Sequence, residues 1–439
     1  KWRNNMRVVF FSGFAISHLI PLKSTILFLK KNNYDVYVFA TKNNKYFIKK
    51  MGAKYIEYPE DYWNPLLDKE SKKYNEIIEE NYKNKDFEKM LYYILKKDAM
   101  LAFNHNLNSM DWIRKKIINL MPNIIFRDST DIYWNYLKYE FSNIKTIGYI
   151  TNNLYNWNYF KKNKLEFSYF LGIADVLQYL PDDYLDKFDQ VIKEIYQEII
   201  KEYHTLPLEP YFQYDPNETF NLIYTIDSMQ PNCFDSKRYM LVESNKEDML
   251  FKDTIDNNLV DFIGNSKTIY VSNGSFISRN IDYYKFIINH TKNFDSYKVI
   301  ISAGNNNEEV KKYVKDNKLD HIFFVNKFIP QKYVLNNNCS LFITSGGINS
   351  IKEAIFYKVP MFVIPVSCEQ RLNGLIIEKK GIGYTSYGPH NRLFNIEENF
   401  KVLLSSKKIK KNITNICLAC KQKTNEDVFK KIIEYINEE

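Results

Sequence analysis

The sequence predicts an α/β protein with two domains, each built on a parallel sheet whose faces are covered by helices. Three observations support this prediction. The chain has 439 residues, more than one hydrophobic core usually supports. Short apolar runs rich in β-branched and aromatic residues alternate with segments of helical periodicity from residue 6 onward. The same alternation begins again near residue 266, and repeated strand–helix–strand units of this kind build parallel sheets.

The first domain is predicted over residues 1–240. Leu19, Leu22, Ile26 and Leu29 recur at helical spacing after the first strand, and a shorter helix ends at Gly52. Residues 61–213 are mostly helical in pattern and rich in aromatic side chains. The strands of this domain are predicted at residues 6–12, 35–41, 53–59, 122–129, 145–151 and 220–227.

A polar linker is predicted over residues 241–265, and the second domain over residues 266–420. Residues 421–439 are expected to form a helix that packs back on the first domain. Because ligands of open parallel sheets bind beyond the carboxyl ends of the strands, two such domains predict a ligand cleft between them. The strands of the second domain are predicted at residues 267–275, 297–304, 321–326, 339–345 and 360–366, and its helices at 283–291, 307–316, 348–358 and 369–381.

The composition is that of a globular protein, with 45% hydrophobic and 26% charged residues. No apolar stretch approaches the ~20 residues that span a bilayer, and the first residues lack the pattern of a secretory signal. We therefore expect a soluble, cytoplasmic protein without an integral membrane segment. The net charge of +9 is spread along the chain, so it does not indicate a nucleic-acid partner.

The five cysteines predict free thiols in a reducing compartment. Three of them stand far apart in the sequence. Cys417 and Cys420 form a C-x-x-C pattern in a helical segment, without a second cysteine pair or a nearby histidine. This pattern favours two unligated cysteines on one helix over a zinc or redox site.

Gly346 and Gly347 stand where a predicted strand gives way to a predicted helix, in a chain with only 13 glycines. The missing Cβ atoms let backbone N–H groups approach a ligand, and the helix directs its positive dipole end at the same place. This arrangement predicts an anion site that suits a diphosphate. Asn349 and Ser350 add side-chain donors, and Glu353 could accept from neighbouring hydroxyls. Alternatively, the pair is an ordinary turn with Asn and Ser as helix caps.

Other segments strengthen the first interpretation. Phe328 precedes the glycine pair and could stack on a base, whereas Glu369 and Gln370 offer an acceptor and a donor at a later strand end. Ser275 belongs to a second Gly turn between strand and helix. The ordered set comprises Phe328-Ile329-Pro330-Gln331, Thr344-Ser345-Gly346-Gly347-Ile348-Asn349-Ser350, Glu353 and Glu369-Gln370.

This set resembles the donor-binding half of the UDP-sugar-dependent glycosyltransferases of the GT-B fold, which include macrolide and plant natural-product enzymes. The resemblance implies two Rossmann-like domains facing across a cleft. It implies that Phe328 stacks on uracil and that Glu353 takes the ribose hydroxyls. Gly347, Asn349 and Ser350 would hold the phosphates, and Glu369 and Gln370 the sugar. It also implies that Ser275, Gln331, Ser345 and Gly346 line the donor site.

The chain departs from the family pattern at two of these positions. Ser345 stands where the family usually has His, and it cannot carry a positive charge. This change predicts weaker binding of the diphosphate unless another donor, such as Ser275, compensates. Phe328 replaces the more usual Trp, which keeps the aromatic face and removes only the indole N–H.

His18 is the predicted general base, because it follows the first strand, where its position resembles that of the family's catalytic His. The family's G-H-x-x-P pattern is matched by His18 and Pro21, with Ser17 in place of Gly. A His base needs an orienting carboxylate. Asp128 ends a later strand of the same domain at the family's matching place, and Asp131 is the lower-ranked alternative. The remaining histidines, at 105, 204, 290, 321 and 390, have no comparable placement.

These residues predict an inverting transfer in which His18 removes a proton from an acceptor hydroxyl that displaces UDP. The sequence has no D-x-D triplet, so we expect no metal and no cofactor besides the donor substrate. A non-catalytic nucleotide-sugar binder is the alternative, and intact His18 and Asp128 disfavour it. A nicotinamide dehydrogenase is disfavoured because no G-x-G-x-x-G opens either domain.

The partners are predicted to be a UDP-sugar and a small-molecule acceptor. UDP-glucose is the donor that the resemblance suggests, with UDP-N-acetylglucosamine and UDP-galactose as alternatives. Aromatic residues of the first domain suggest a flat or apolar acceptor, although they could equally form a helix core. These residues are Tyr62, Trp63, Tyr155, Trp157 and Tyr159.

Overall fold

The structure is a computed structural model of the chain. It describes residues 6–13, 15–59, 66–107, 109–131, 133–176, 179–180, 183, 190–191, 193–194, 197, 201, 214–243, 255–274, 279–390 and 392–438.

The chain divides into two compact units. Unit 1 comprises Lys1–Ile223, Pro231–Met240 and Val428–Glu439, and unit 2 comprises Tyr224–Gln230 and Leu241–Asp427. The chain therefore passes from one unit to the other more than once. Each unit is built on its own sheet of parallel strands with helices, which confirms the predicted α/β class.

Unit 1 contains a seven-stranded sheet in the order β3-β2-β1-β4-β5-β6-β7, and the pairings from β3 through β6 are parallel. The order reverses between β1 and β4, where crossover connections leave on opposite sides and the carboxyl ends of two strands open a crevice. The strands are β1 (Arg7–Phe11), β2 (Asp35–Ala40), β3 (Lys54–Glu57), β4 (Ile124–Asp128), β5 (Lys145–Ile150), β6 (Phe220–Ile223) and β7 (Tyr239–Leu241).

Buried aromatic rings fill the centre of unit 1. Phe10 stacks on Phe126 with ring centroids 4.3 Å apart, and Phe11 stacks on Phe39 at 4.7 Å. The pairs join β1 to β4 and to β2 respectively, because neighbouring strands place side chains of one face side by side. The Phe10–Phe126 contact thus joins the two strands of the crevice, and the Phe11–Phe39 contact joins β1 to its other neighbour.

The helices of unit 1 flank this sheet, and one of them comes from the far end of the described chain. In the final helix, α18 (Glu426–Asn437), Phe429 stacks on Phe28 at 4.4 Å and the Tyr435 hydroxyl donates a hydrogen bond to the Thr146 carbonyl at 3.1 Å. The other helices of unit 1 are α1 (Ile16–Leu19), α2 (Lys23–Lys31), α3 (Lys45–Lys50), α4 (Leu66–Lys83), α5 (Phe87–Leu107), α6 (Met110–Leu120), α7 (Tyr133–Leu137), α8 (Trp157–Lys162) and α9 (Lys164–Leu171).

Unit 2 contains a six-stranded, fully parallel sheet in the order β10-β9-β8-β11-β12-β13. This is the Rossmann-like order, with its reversal between β8 and β11. The strands are β8 (Lys267–Ser272), β9 (Tyr297–Ser302), β10 (Phe323–Asn326), β11 (Cys339–Thr344), β12 (Met361–Val363) and β13 (Gly383–Thr385).

Helices cover both faces of the unit 2 sheet. Along β8, Ile269 and Val271 join one buried cluster and Tyr270 joins the other, since successive side chains of a strand point to opposite faces. The helices are α10 (Asn257–Ile263), α11 (Ile281–Thr291), α12 (Asn307–Asp316), α13 (Gln331–Asn336), α14 (Ile348–Phe356), α15 (Cys368–Lys379), α16 (Ile396–Ser405) and α17 (Lys407–Gln422).

The segment predicted as a linker contains structure of its own. Helix α10 lies within residues 241–265, and its Leu259 and Ile263 are buried in the core of unit 2. Cys417 and Cys420 lie on helix α17, and none of the five cysteines forms a disulfide bond. Among the residues that the structure describes, no helix has the length and apolarity needed to cross a bilayer.

Candidate functional site

His18 and Asp128 meet at the carboxyl edge of the unit 1 sheet, where the strand order reverses. His18 lies on α1, directly after β1, and Asp128 is the last residue of β4. The imidazole Nδ1 stands 2.8 Å from Asp128 Oδ2. The His18 side chain is 18% exposed, whereas the Asp128 side chain is fully buried. Asp128, which water does not reach, therefore orients an imidazole that is partly exposed at the surface.

Asp128 is held as an anion by its neighbours. Thr130 donates to Asp128 Oδ1 from its backbone N–H at 2.8 Å and from its hydroxyl at 2.7 Å. Burial alone would raise the pKa of Asp128, but His18 and the two Thr130 donors outweigh it and lower that pKa. Since a carboxylate only accepts hydrogen bonds, the Nδ1 atom of His18 that faces Asp128 carries a proton.

Gly13 makes room for the imidazole, although it is not among the predicted site residues. A Cβ at this position would lie 2.7 Å from His18 Nδ1, 2.9 Å from its Cγ and 3.2 Å from Thr130 Oγ1. The ring therefore lies against the backbone that follows β1. The sequence signal was present, because Gly13 follows the apolar run of the first strand, but its partner could be found only from the fold.

Asp131, the alternative partner for His18, has a different role. Its carboxylate accepts from the backbone N–H groups of Tyr133 at 3.2 Å and Trp134 at 3.1 Å, so it caps α7. Burial raises the pKa of Asp131 to about 7 against the opposing charge of Arg127. Arg127 is itself buried and paired with Glu218 at 2.9 Å. This network supports the edge of the sheet beside the His18–Asp128 pair.

In unit 2, Gly346 and Gly347 connect β11 to α14. Gly346 has φ +86°, and a Cβ there would meet Val363 Cγ1 at 2.6 Å, so only glycine fits. Its carbonyl accepts from Asn373 Nδ2 at 2.9 Å. Gly347 is the N-cap of α14 and offers no side-chain cap, and a Cβ on it would meet nothing within 4 Å. The first N–H groups of α14 thus adjoin open space at the carboxyl edge.

Ser345 turns inward. Its side chain is buried, and its hydroxyl donates to the backbone carbonyl of Asn273 at 3.0 Å. A hydroxyl has one proton to donate. In this arrangement Ser345 ties the end of β11 to the end of β8 and has no proton left for a ligand.

Three of the predicted donor residues form one hydrogen-bonded group. Gln331, at the start of α13, donates from Nε2 to Glu353 Oε2 at 2.7 Å and to Ser350 Oγ at 3.2 Å. Lys332 Nζ lies 3.9 Å from Glu353 Oε1. Burial raises the pKa of Glu353, and Lys332 and Gln331 oppose that shift. The group places a carboxylate near Ser350, in the first turn of α14.

The remaining predicted donor residues differ in exposure. Phe328 is 78% exposed, so its ring face is open to a ligand. Glu369 Oε1 accepts from the Ser367 hydroxyl at 2.8 Å. Gln370 is buried, and its Oε1 accepts from the backbone N–H groups of Val366 at 3.0 Å and Ser367 at 3.3 Å in a capping box of α15.

Some predicted residues lie outside the described residues, namely Ser275, Tyr62 and Trp63. Of the other aromatic residues suggested to contact an acceptor, Tyr155 is fully buried and stacks on Phe160 with ring centroids 5.5 Å apart. Tyr155 therefore belongs to the core of unit 1, as the alternative interpretation of these aromatics predicted.

A comparison with protein-family models finds a match, over residues 235–431, to the family of UDP-glucoronosyl and UDP-glucosyl transferases. The matched segment contains every predicted donor residue. An uncharacterized UDP-glucosyltransferase of Bacillus subtilis, YojK, is 28% identical over 126 residues, which cover 28% of this chain and 29% of YojK. The ecdysteroid UDP-glucosyltransferase of Spodoptera littoralis nuclear polyhedrosis virus is 34% identical over 142 residues, which cover 30% of this chain and 25% of the viral protein. Each alignment therefore covers less than a third of the relative.

Solved structures match over nearly the whole chain. The glycotransferase of kitacinnamycin has a TM-score of 0.70 at 14% identity, with 99% of this chain and 100% of that chain covered. UDP-glucose:anthocyanidin 3-O-glucosyltransferase in complex with UDP has a TM-score of 0.66 at 15% identity, with 99% of each chain covered. The GT-B fold and the resemblance to UDP-sugar-dependent glycosyltransferases are thereby confirmed.

Proposed function

From this family match and fold, we propose that the protein is an inverting glycosyltransferase that moves a hexose from a UDP-sugar to a hydroxyl group of a small acceptor. The observation that carries the proposal is the assembly of the matched motifs at one edge of unit 2. Gln331, Ser350 and Glu353 are hydrogen-bonded to one another there, beside the uncapped start of α14.

In the proposed donor complex the diphosphate rests on the first N–H groups of α14. A helix N-terminus stabilises negative charge through its dipole and its unpaired N–H groups. Cleavage of the bond to the sugar adds negative charge to the leaving UDP. Hydrogen-bond donors that are already fixed in place therefore stabilise the transition state more than the ground state. Phe328 stacks on the base, Glu353 accepts from the ribose hydroxyls, and Glu369 receives the sugar.

In the proposed reaction His18 acts as general base. Its Nε2 accepts the proton of the acceptor hydroxyl while the oxygen attacks the anomeric carbon and UDP leaves from the opposite side. Asp128 holds the Nδ1 proton at 2.8 Å and stabilises the imidazolium that forms. The lowered pKa of Asp128 supports this role, since the carboxylate stays ionised when the ring gains its charge.

The reaction is proposed to need no metal ion. The sequence has no D-x-D triplet, and the backbone N–H groups of α14 supply charge stabilisation that does not depend on a cation. UDP-glucose is the proposed donor, since the relatives named above are UDP-glucosyltransferases. A small apolar or aromatic alcohol is the proposed acceptor, in keeping with the anthocyanidin enzyme among the structural matches.

The sharpest test is Gly347→Ala. The φ of −64° suits alanine and the new Cβ meets no protein atom, so the unfolding free energy should stay within about 1 kcal/mol of wild type or rise. The same methyl group occupies the space proposed for the diphosphate, so UDP should bind at least about tenfold more weakly in calorimetric titrations. Turnover is then measured as UDP release from UDP-sugars with a panel of alcohols, with and without EDTA. A wild-type protein that binds no UDP would overturn the proposal.

A further inference from the structure

A guanidinium group stands at the carboxyl edge of unit 2 without an assigned role. Arg279 precedes α11, and its Nη2 donates to the backbone carbonyl of Ile364, the residue that follows β12. Its charge lies over the ring of Tyr283, with 4.7 Å between Cζ and the ring centroid. The side chain is therefore anchored at two points on the edge where the strands end.

Ile364, whose carbonyl holds Arg279, lies beside the glycine turn of α14. The backbone N–H of Ile364 donates to the carbonyl of Thr344 at 2.8 Å, which joins the ends of β12 and β11. Gly346, two residues beyond Thr344, packs against Val363, the residue before Ile364. The carbonyl that holds Arg279 thus belongs to the segment that lines the glycine turn.

Arg279 carries a charge that the described residues around it do not neutralise. Within the part of the chain that the structure describes, no carboxylate forms an ion pair with it, and its Nε is buried without a hydrogen-bond acceptor. Burial lowers the pKa of the guanidinium, and Tyr283 and Tyr284 oppose this shift only in part. A partly buried cation without a counter-ion is costly, and a bound anion would relieve that cost.

Two other groups near the turn, Ser345 and Lys332, do not supply this function. Ser345 is neutral and gives its proton to the Asn273 carbonyl. Lys332 lies on the Glu353 side of α14, 3.9 Å from that carboxylate. Neither of these two groups therefore offers an unpaired positive charge to an anion on the first N–H groups of α14.

We propose that Arg279 is a further donor-binding residue, whose guanidinium contacts the diphosphate of the sugar nucleotide and supplies the positive charge that Ser345 lacks. The inference rests on the proposed function, because it assigns one more contact to the same site. Arginine suits the task, since its planar group can donate two parallel hydrogen bonds to phosphate oxygens.

The test compares UDP with uridine, which has the base and ribose but no phosphate. Both are titrated into wild type, Arg279→Gln, Arg279→Lys and the control Arg392→Gln. Arg392 is a matched control because it also lies over a tyrosine ring, Tyr384 at 4.3 Å, but is paired with Glu378 at 2.7 Å. Thermal unfolding without ligand shows whether each variant is folded.

Arg279→Gln should weaken UDP binding about 10- to 100-fold, as expected for loss of a charge-assisted hydrogen bond, and leave uridine binding within twofold. The loss for Arg279→Lys should be smaller, and Arg392→Gln should bind both ligands like wild type. Added salt should weaken UDP binding less in Arg279→Gln than in wild type.

Equal UDP affinity in Arg279→Gln and wild type would overturn the inference and leave the proposed function intact. An equal loss of uridine binding would also overturn it, because the residue would then support the fold rather than the phosphates. If Arg279→Gln does not fold, Arg279→Lys and Arg279→Met are used in its place. The assignment would be overturned if Arg279→Lys bound UDP with wild-type affinity and a folded Arg279→Met variant showed the wild-type dependence of UDP binding on salt. Wild-type protein that binds no UDP would overturn the proposed function itself.

Discussion

The replacement of Gly13 by alanine should lower kcat about 100-fold while leaving the protein folded. The new Cβ would lie 2.7 Å from His18 Nδ1, whereas ordinary contacts begin at about 3.4 Å. The backbone at this position does not have positive φ, so alanine itself is tolerated. The side chain of His18 is the mobile partner, because its ring is partly exposed and can swing away from the carboxylate.

The magnitude follows from the size of this clash. The ring must retreat by roughly 0.7 Å, which stretches the 2.8 Å hydrogen bond to Asp128 to the outer limit for such a bond. A misplacement of this order costs about 10²-fold in the rate of a positioned reaction. The lost bond to the charged carboxylate costs about 1.5–3 kcal/mol of stability, and the stiffer unfolded chain of the alanine variant offsets about 0.4–1 kcal/mol of it.

The assay measures turnover with UDP-glucose and an alcohol accepted by the wild type, together with calorimetric binding of UDP. The value of kcat should fall about 100-fold, and Kd for UDP should not change, because the proposed donor contacts lie in unit 2. The hydrogen-bonded Nδ1 proton of His18, observed by NMR, should move or disappear. The double variant Gly13→Ala/His18→Ala is the control. Without the imidazole the clash vanishes, so the second alanine should cost less than about 0.5 kcal/mol relative to His18→Ala.

A Gly13→Ala protein with kcat within threefold of wild type would refute the reasoning, since the geometry leaves no room for both the methyl group and the ring. An equal loss of stability in both backgrounds would also refute it, because the cost would then come from the backbone and not from His18.

Three further predictions use other residues of the two edges. Asp128→Asn should lower kcat by about 10² to 10⁴, because its amide faces Nδ1 with a donor and forces the proton onto Nε2; an unchanged kcat in a pH–rate profile would contradict this. Phe328→Ala should keep the unfolding free energy within about 0.5 kcal/mol of wild type, since the ring is 78% exposed. In calorimetric titrations it should weaken the binding of both UDP and uridine by about 1–3 kcal/mol, because the stacking contact is lost. Asp131 has a raised pKa of about 7, so its contribution to stability is full below the unfolded pKa and is lost as the pH rises through 7. Urea unfolding at about pH 5 and pH 8 tests this. On going to the higher pH, the unfolding free energy of Asp131→Asn should rise relative to that of wild type by up to a few kcal/mol.

The parallel strands and their order along the chain could be predicted, because buried strands read as apolar runs bounded by Gly, Asn or Pro. The short strands β7 (Tyr239–Leu241) and β13 (Gly383–Thr385) were missed, since three residues carry no periodicity. Helix α10 was missed because it lies in a polar stretch, where only Leu259 and Ile263 reach the core.

The meeting of His18 with Asp128 was also predictable, since both follow strands that a parallel sheet brings to one edge. The local hydrogen bonds of the site could not be predicted from the sequence. The inward turn of Ser345 and the capping role of the Gln370 amide depend on which backbone groups need partners, and only the folded chain decides that. The position of Arg279 could not be predicted either, because no sequence motif marks its tyrosine partner or its carbonyl partner.

The position of α18 has a consequence for the order of folding during synthesis. Its Phe429 and Tyr435 complete unit 1, yet the ribosome makes them after all of Leu241–Asp427. At bacterial or eukaryotic elongation rates this delay is roughly 10–40 s. Throughout that interval the Phe28 ring and the outer strands of the nascent unit 1 lack their covering helix, so unit 2 is the first of the two that can reach its finished state.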